Sequence, residues 1–230
     1  MTVDNLTLEV TRRCNMNCAH CLRGDAQNLD MSKEIVDRIL EDIESIGSVF
    51  FTGGEPSLNI SIMDYFFEKA IQKGISIESF GLVTNGKENQ RELVCFIAEH
   101  VPDIEDMDCC YVAMSRDQYH DTVDRNLLKA FSFYFEDKEI DFGKRRKLLA
   151  EGRAQDMDNS RSSSILTNEL NIEKWDNKLS VQDILYISAN GNVLGGCDFS
   201  YNHADQISYG NLLEESLLTI IKREFELNVA

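Results

Sequence analysis

The chain has no long apolar run, very little proline and a shortage of positive charge. Two prolines and one tryptophan occur in 230 residues, so neither a proline-rich linker nor a low-complexity block is present. No stretch approaches the roughly 20 apolar residues of a membrane span, and no membrane is expected as a partner. Against 40 Asp and Glu there are 23 Lys and Arg, a formal net charge of −17. Such a chain repels phosphate backbones, which argues against a long nucleic acid as partner. Met1 to Asn5 lack the basic start and apolar core of a signal peptide, so a cytoplasmic location is expected. No solenoid repeat is present.

What is there supports a packed α/β core. Hydrophobic residues make up 43% of the chain, and the length suits one domain. Residues 5–11 alternate apolar and polar and read as a strand. Ser32 can cap a helix over 33–46, with Ile35, Val36, Ile39, Leu40 and Ile43 on one face. A strand over 48–52 ends in Gly53-Gly54, and a helix over 60–73 follows. Strand 77–84, helix 88–100 and strand 109–115 continue the pattern. Strand–loop–helix units in series imply parallel strands with crossover helices, almost always right-handed, so the sheet curls toward a barrel. Beyond lie expected helices over 124–136 and Lys144–Arg153, and a polar surface excursion or lid over 156–180. Strands 183–189 and 192–197 are joined by Asn190-Gly191, a two-residue hairpin signal. A helix over 213–226 closes the pattern.

Three of the seven cysteines, Cys14, Cys18 and Cys21, lie within eight positions. In a reducing compartment, close spacing favours metal ligation over disulfides. Three thiolates can hold three corners of a 4Fe–4S cubane and leave one iron open. A tetrahedral zinc site wants four ligands, and His20, squeezed between two of these cysteines, would strain the loop as the fourth. Thr52-Gly53-Gly54-Glu55-Pro56 follows a predicted strand, where glycines let backbone approach a ligand closely.

Together these motifs resemble the signature of the radical S-adenosylmethionine (SAM) superfamily. The resemblance is good over residues 6–120 and loose beyond. It implies an incomplete (β/α)6 TIM-like barrel with a C-terminal β-hairpin and helix. It also implies a single domain over 1–230, with a core of about 5–155 and a substrate-side extension of about 156–230. It further implies one 4Fe–4S cluster on Cys14, Cys18 and Cys21, and SAM held at Gly53, Gly54, Glu55 and Pro56 by its amino group. His20 takes the position that packs near the adenine, normally aromatic. Asn85, Ser115 and Arg116, at strand ends, take positions that contact the SAM ribose and carboxylate. Arg116 also suits a surface ion pair with Asp117 or Asp121.

The cluster needs an electron donor such as flavodoxin or ferredoxin. Lys144, Arg145, Arg146, Lys147 and Arg153 form a basic patch that suits either an acidic donor or a solvated helix face. Substrate-pocket candidates are Asp117, Tyr119, His120, Arg153, Cys197, Asp198 and Tyr201. Asp117, His120 and Cys197 are the candidate catalytic residues. Cys95, Cys109 and Cys110 are expected in the core. The run Ser115 to His120, with Gly196 to Tyr201, is similar to queuine lyase, which cleaves a carbon–nitrogen bond to release a 7-aminomethyl-7-deazaguanine base. The resemblance implies that Asp117 or Asp198 meets queuine's ammonium. The alternatives are a peptide-modifying epimerase using Cys197 and a non-catalytic protein that binds SAM and an iron–sulfur cluster.

Overall fold

In the computed structural model, which describes residues 1–116, 119–120, 136–137, 140–141, 148–158, 160–161 and 167–229, the first half alternates strand and helix as its periodicity requires. The order is β1 (Thr2–Thr11), α1 (Lys33–Glu41), β2 (Ser45–Gly53), α2 (Ile60–Lys73), β3 (Ser76–Thr84), α3 (Gln90–His100) and β4 (Tyr111–Arg116). Short strands follow: β5 (Glu136–Asp137), β6 (Ile140–Asp141), β7 (Leu148–Leu149) and β8 (Ser160–Arg161). The chain then forms β9 (Asn171–Trp175), β10 (Lys178–Ile187), β11 (Asn192–Leu194), α4 (Tyr201–Gln206), β12 (Gly210–Asn211) and α5 (Leu217–Val229).

Local chemistry explains the boundaries. Ser32 caps α1 by accepting from Ile35 N at 3.3 Å, and Ile35, Val36, Ile39 and Leu40 form its buried face. α2 stops at Gly74, whose φ of 68° is left-handed. The main sheet runs β12-β11-β10-β1-β2-β3-β4-β5, with β6 on β4 and β9 on β10. From β10 to β5 every neighbour is parallel. β10 thus returns beside β1, leaving β1 in the centre, and the described strands do not close a full barrel.

The two faces of the sheet differ. Leu6, Leu8, Val49, Phe51, Phe80 and Leu82 face the helices and are fully buried. There Phe51, Phe66, Phe67, Phe80 and Phe96 meet with ring centroids 5.3–6.1 Å apart, edge-on or tilted as ring quadrupoles prefer. The inner face carries the register row Tyr186, Thr7, Phe50, Gly81, Tyr111. Phe50 and Tyr111 stack across Gly81 with centroids 5.5 Å apart. A Cβ on Gly81 would meet Tyr111 at 2.9 Å and Phe50 at 3.1 Å, so glycine is what lets the stack form.

Several expectations are corrected. The helix expected to reach 46 ends at Glu41, because Ser45 and Ile46 already pair with Thr2 and Val3. The helix expected over Lys144–Arg153 is not helical in its described part: Leu148–Leu149 is strand and Gly152–Ala154 a 3₁₀ turn. Gly152 has φ 54° and sits where a Cβ would come within 2.3 Å of Leu22 O, against the cysteine loop. The segment 156–180 is no plain excursion, since β9 and β10 pair through Asp176 and Asn177, both at positive φ, as a twisted hairpin requires. Its edge position keeps it polar, which hid it. Cys110 is buried, but Cys95 and Cys109 are exposed, Cys95 because α3 buries Leu93, Phe96, Ile97 and His100 instead. The helix expected over 124–136 lies outside the described residues apart from Glu136, which is in β5. Lys144 to Lys147 also lie outside them. Among the described residues no helix is long and apolar enough to cross a membrane.

His100 closes the aromatic core, stacked on Phe67 with centroids 4.5 Å apart. Its Nε2 lies 3.1 Å from Asp64 and its Nδ1 3.4 Å from Asp103. Burial opposes its charge, but the two carboxylates outweigh burial and raise its pKa above 6.5. Stability from this pair is therefore complete below the unfolded-state value and is lost as pH rises through the higher folded-state value. Urea unfolding is expected to show wild type losing stability from pH 5.5 to 8.5, and His100→Gln losing distinctly less over that range.

Candidate active site

β1 and β2 end side by side, and their exit turns are bonded to each other. Gly54 N donates to Thr11 O at 2.8 Å and Glu55 N to Arg13 O at 2.9 Å. A Cβ on Gly53 would meet Thr11 O at 2.2 Å, and one on Gly54 would meet Arg13 O at 2.2 Å. The two glycines thus allow the turn after β2 to lie directly on the cysteine loop. Sequence reasoning assigned their bareness to a ligand; the first contact it permits is chain to chain.

Glu55 faces inward and is 1% exposed. One oxygen accepts from Thr84 Oγ1 at 2.6 Å and Ser57 N at 3.2 Å, the other from Asn85 N at 2.7 Å. Burial pushes its carboxyl up, against the lowering by these donors. The carboxylate therefore ties the end of β2 to the end of β3. Pro56, also buried, opens the 3₁₀ turn that follows. Asn85 carries the tie onward: its Nδ2 donates to Asn15 Oδ1 at 2.8 Å and lies 3.9 Å from Cys14 Sγ.

Cys14, Cys18 and Cys21 form no disulfide with one another and are each partly buried, on the loop between β1 and α1. Backbone bonds close the loop's base, from Arg12 N to Leu29 O (2.8 Å) and from Gln27 N to Arg12 O (3.0 Å). Cys21 N donates to Cys18 O at 3.2 Å, and Arg153 N donates to Cys21 O at 2.9 Å. The Arg153 side chain reaches Asp25 at 3.7 Å. His20 stacks on Tyr119 with centroids 4.5 Å apart and meets His120 edge-on at 5.0 Å. These three predicted residues thus form one ring cluster at the end of β4. Ser115 and Arg116 end that strand; the Arg116 side chain and Asp117 lie outside the described part.

The donor set fits an iron–sulfur cluster. Burial holds the Cys14 thiol above its ordinary pKa, and nearby Glu55 and Cys21 push the same way. A thiolate there needs a positive centre to offset that cost, which iron provides. Asn15 Nδ2 is buried without a partner among the described residues, leaving a donor for sulfur. Among the described residues no three His, Cys, Asp or Glu side chains gather closely enough for a single metal ion.

The inner face holds charges that the sequence did not mark as functional. Glu9, fully buried, accepts from Arg12 Nε at 2.6 Å, from Ala189 N at 3.0 Å and from the Tyr186 hydroxyl. Arg12 forks onto Asp205 at 2.7 and 2.8 Å and lies over Tyr201, 4.7 Å from the ring centroid. Burial opposes Arg12's charge, but Asp205 and Glu9 more than offset it and raise its pKa; Asp205 is correspondingly lowered by the Arg12 hydrogen bonds. The signal available was Glu9's place among the alternate polar positions of a central strand, which line a barrel rather than face water. Cys197 and Asp198, 3.9 Å apart, line a cavity of about 870 Å³ beside Leu170, Ile184 and Phe199. Burial, then Asp198, pushes the Cys197 thiol up, so it is neutral at pH 7.

The family model of the Radical SAM superfamily matches residues 8–175. GTP 3',8-cyclase of Clostridium perfringens is 34% identical over 91 residues, 36% of this chain and 28% of that protein. Fe-coproporphyrin III synthase of Methanosarcina barkeri is 28% identical over 125 residues, 50% of this chain and 28% of that protein. An uncharacterized Methanocaldococcus jannaschii protein is 38% identical over 64 residues, 26% of this chain and 22% of that protein. The matched segments span less than a third of these relatives' own lengths. Among solved structures, anSMEcpe with bound AdoMet superposes with TM-score 0.56 at 18% identity, covering 95% of this chain and 80% of that one. BtrN in an open conformation superposes with TM-score 0.50 at 15% identity, covering 94% and 78%. Both likenesses are of fold. With the superfamily match spanning most of its length, the chain belongs to the radical SAM superfamily, whose enzymes work with a 4Fe–4S cluster and SAM.

Proposed function

We propose that Cys14, Cys18 and Cys21 hold the 4Fe–4S cluster, that Gly53, Gly54 and Asn85 border the SAM site, and that the substrate is a small molecule bound beside Cys197. The observation that carries this reading is the bonding of a three-thiol loop to both the Gly53-Gly54 turn and Asn85. When bound, the cluster and SAM supply a 5′-deoxyadenosyl radical able to take a hydrogen atom from the substrate. The chain's own residues then have positioning roles. Glu55 acts through the turn and Asn85 rather than as a free acceptor. His20, Tyr119 and His120 offer a ring wall next to the third cysteine.

The finer reading is a queuine lyase. Asp198, beside Cys197 on the cavity wall, is the acid this reading assigns to queuine's ammonium; Glu169, Asp183 and Glu224 line the same cavity. A second reading, a peptide epimerase, is favoured by the neutral, cavity-lining thiol of Cys197, which suits return of a hydrogen atom to a substrate radical.

Each of Cys14→Ala, Cys18→Ala and Cys21→Ala is expected to fold, lose the brown cluster colour and form no 5′-deoxyadenosine under dithionite. Retained colour and SAM cleavage would remove the ligand assignment, and a wild type that never cleaves SAM would point to a non-catalytic binder. Reduced wild type with SAM and queuine is expected to release the aminomethyl-deazaguanine base. Unchanged queuine alongside normal 5′-deoxyadenosine would eliminate queuine but keep the radical chemistry. Cys197→Ala with full turnover would eliminate the epimerase reading. Glu55→Gln places an amide against three donors, so a loss of about 1–3 kcal/mol is expected in urea unfolding, together with lower iron content after reconstitution.

A further inference from the structure

Arg23 lies where the cysteine loop meets the wall of the substrate cavity. It follows Cys21 by two residues, and its carbonyl accepts from Tyr201 N at 3.1 Å. Its guanidinium lies over the inner-face Tyr186 ring, 5.1 Å from the centroid. Among the described residues one side-chain hydrogen bond holds it, from Nη1 to Phe199 O at 2.8 Å. Phe199 lines the cavity with Cys197 and Asp198.

A guanidinium has five N–H donors, and among the described residues this one spends a single donor, on a neutral carbonyl. Among the described residues no carboxylate stands within ion-pair distance of it. The titratable groups facing it are Tyr186, Glu9, Cys197 and Tyr201. Burial keeps Tyr186, Cys197 and Tyr201 protonated and neutral at pH 7. Glu9 is engaged with Arg12, Ala189 N and the Tyr186 hydroxyl. The second carboxylate on Arg12, Asp205, is about one-third exposed and hydrogen-bonded by Asn190 and Asn192, so water and amides share its charge. The Glu9–Arg12 pair is thus balanced, and among the described residues Arg23 is an inner-face cation with no carboxylate bonded to it. Arg23 is only partly buried, and none of its nitrogens is sealed off without a partner, so its remaining donors stay reachable.

We propose that Arg23 anchors the substrate by donating to a planar, sp² oxygen acceptor, either a carboxylate or the lactam carbonyl of a purine-like ring. Arginine's rigid fork matches such acceptors. Its place over the Tyr186 ring and its bond to Phe199 O hold the guanidinium against the inner face. This rests on the reading of the cavity beside Cys197 as the substrate site, and it defines the substrate by its acceptor edge whichever finer reading holds.

The test uses the reconstituted full chain and two pairs of probes, benzoate against benzyl alcohol and hypoxanthine against purine, titrated by calorimetry. Wild type is expected to prefer the oxo member of at least one pair by about tenfold or more, and the pair that responds tells carboxylate from lactam. Arg23→Gln is expected to erase that preference, with unchanged melting as the control for folding. Should Arg23→Gln not fold, Arg23→Lys, which keeps charge but loses the fork, is expected to reduce it. No oxo preference in wild type, or the same preference in the folded variant, overturns the assignment. 5′-Deoxyadenosine formed under dithionite is measured on the same samples. Intact cleavage without oxo preference defeats Arg23 alone, whereas absent cleavage in wild type defeats the radical reading itself.

Discussion

A carboxylate shut away from water must find donors, and Glu55 finds three at the ends of two neighbouring strands. Removing a buried acceptor of this kind strands its donors, so the turn after β2 and the start of the loop after β3 behave as one piece. Asn85 extends that piece to Asn15 and Cys14, and the backbone bonds of Gly54 and Glu55 extend it to Thr11 and Arg13. The cysteine loop therefore takes its shape from the neighbouring strand ends as much as from its own spacing.

The second constraint is the ion pair of Glu9 and Arg12, both almost fully buried. Buried pairs rarely add much net stability, because desolvation offsets attraction. Their value here is directional. Glu9 also holds Ala189 N and the Tyr186 hydroxyl, and Arg12 also holds Asp205 and Gln27. The returning strand β10 and helix α4 are thereby aimed at the cysteine loop, which brings Cys197, Tyr201 and Arg23 to one side of the sheet.

Much of this was legible in local sequence. α2 runs over the 60–73 expected, the Ser32 cap forms, and Asn190-Gly191 turns β10 into β11. The cysteine triplet and the Gly53-to-Pro56 turn identified the superfamily, because their chemistry lies in short spacings. Other features depend on partners far along the chain. Arg12 and Asp205 are 193 positions apart, and Glu9 and Tyr186 are 177 apart, so no window of sequence contains the pair. Nothing near Arg23 in sequence shows that its guanidinium lies over Tyr186 and reaches Phe199, 176 positions away. Glu55 was read as a ligand-facing group because its motif does not reveal which way its side chain turns.

The placement of β10 beside β1 also sets how far apart in sequence the braces of the cysteine loop lie. The anchors of the cysteine loop, Arg153, Asn190, Phe199 and Asp205, all come from far along the sequence. Closing contacts over such separations is slow and costs chain entropy. The thiol loop thus gains its full set of braces only when these distant segments have packed against it.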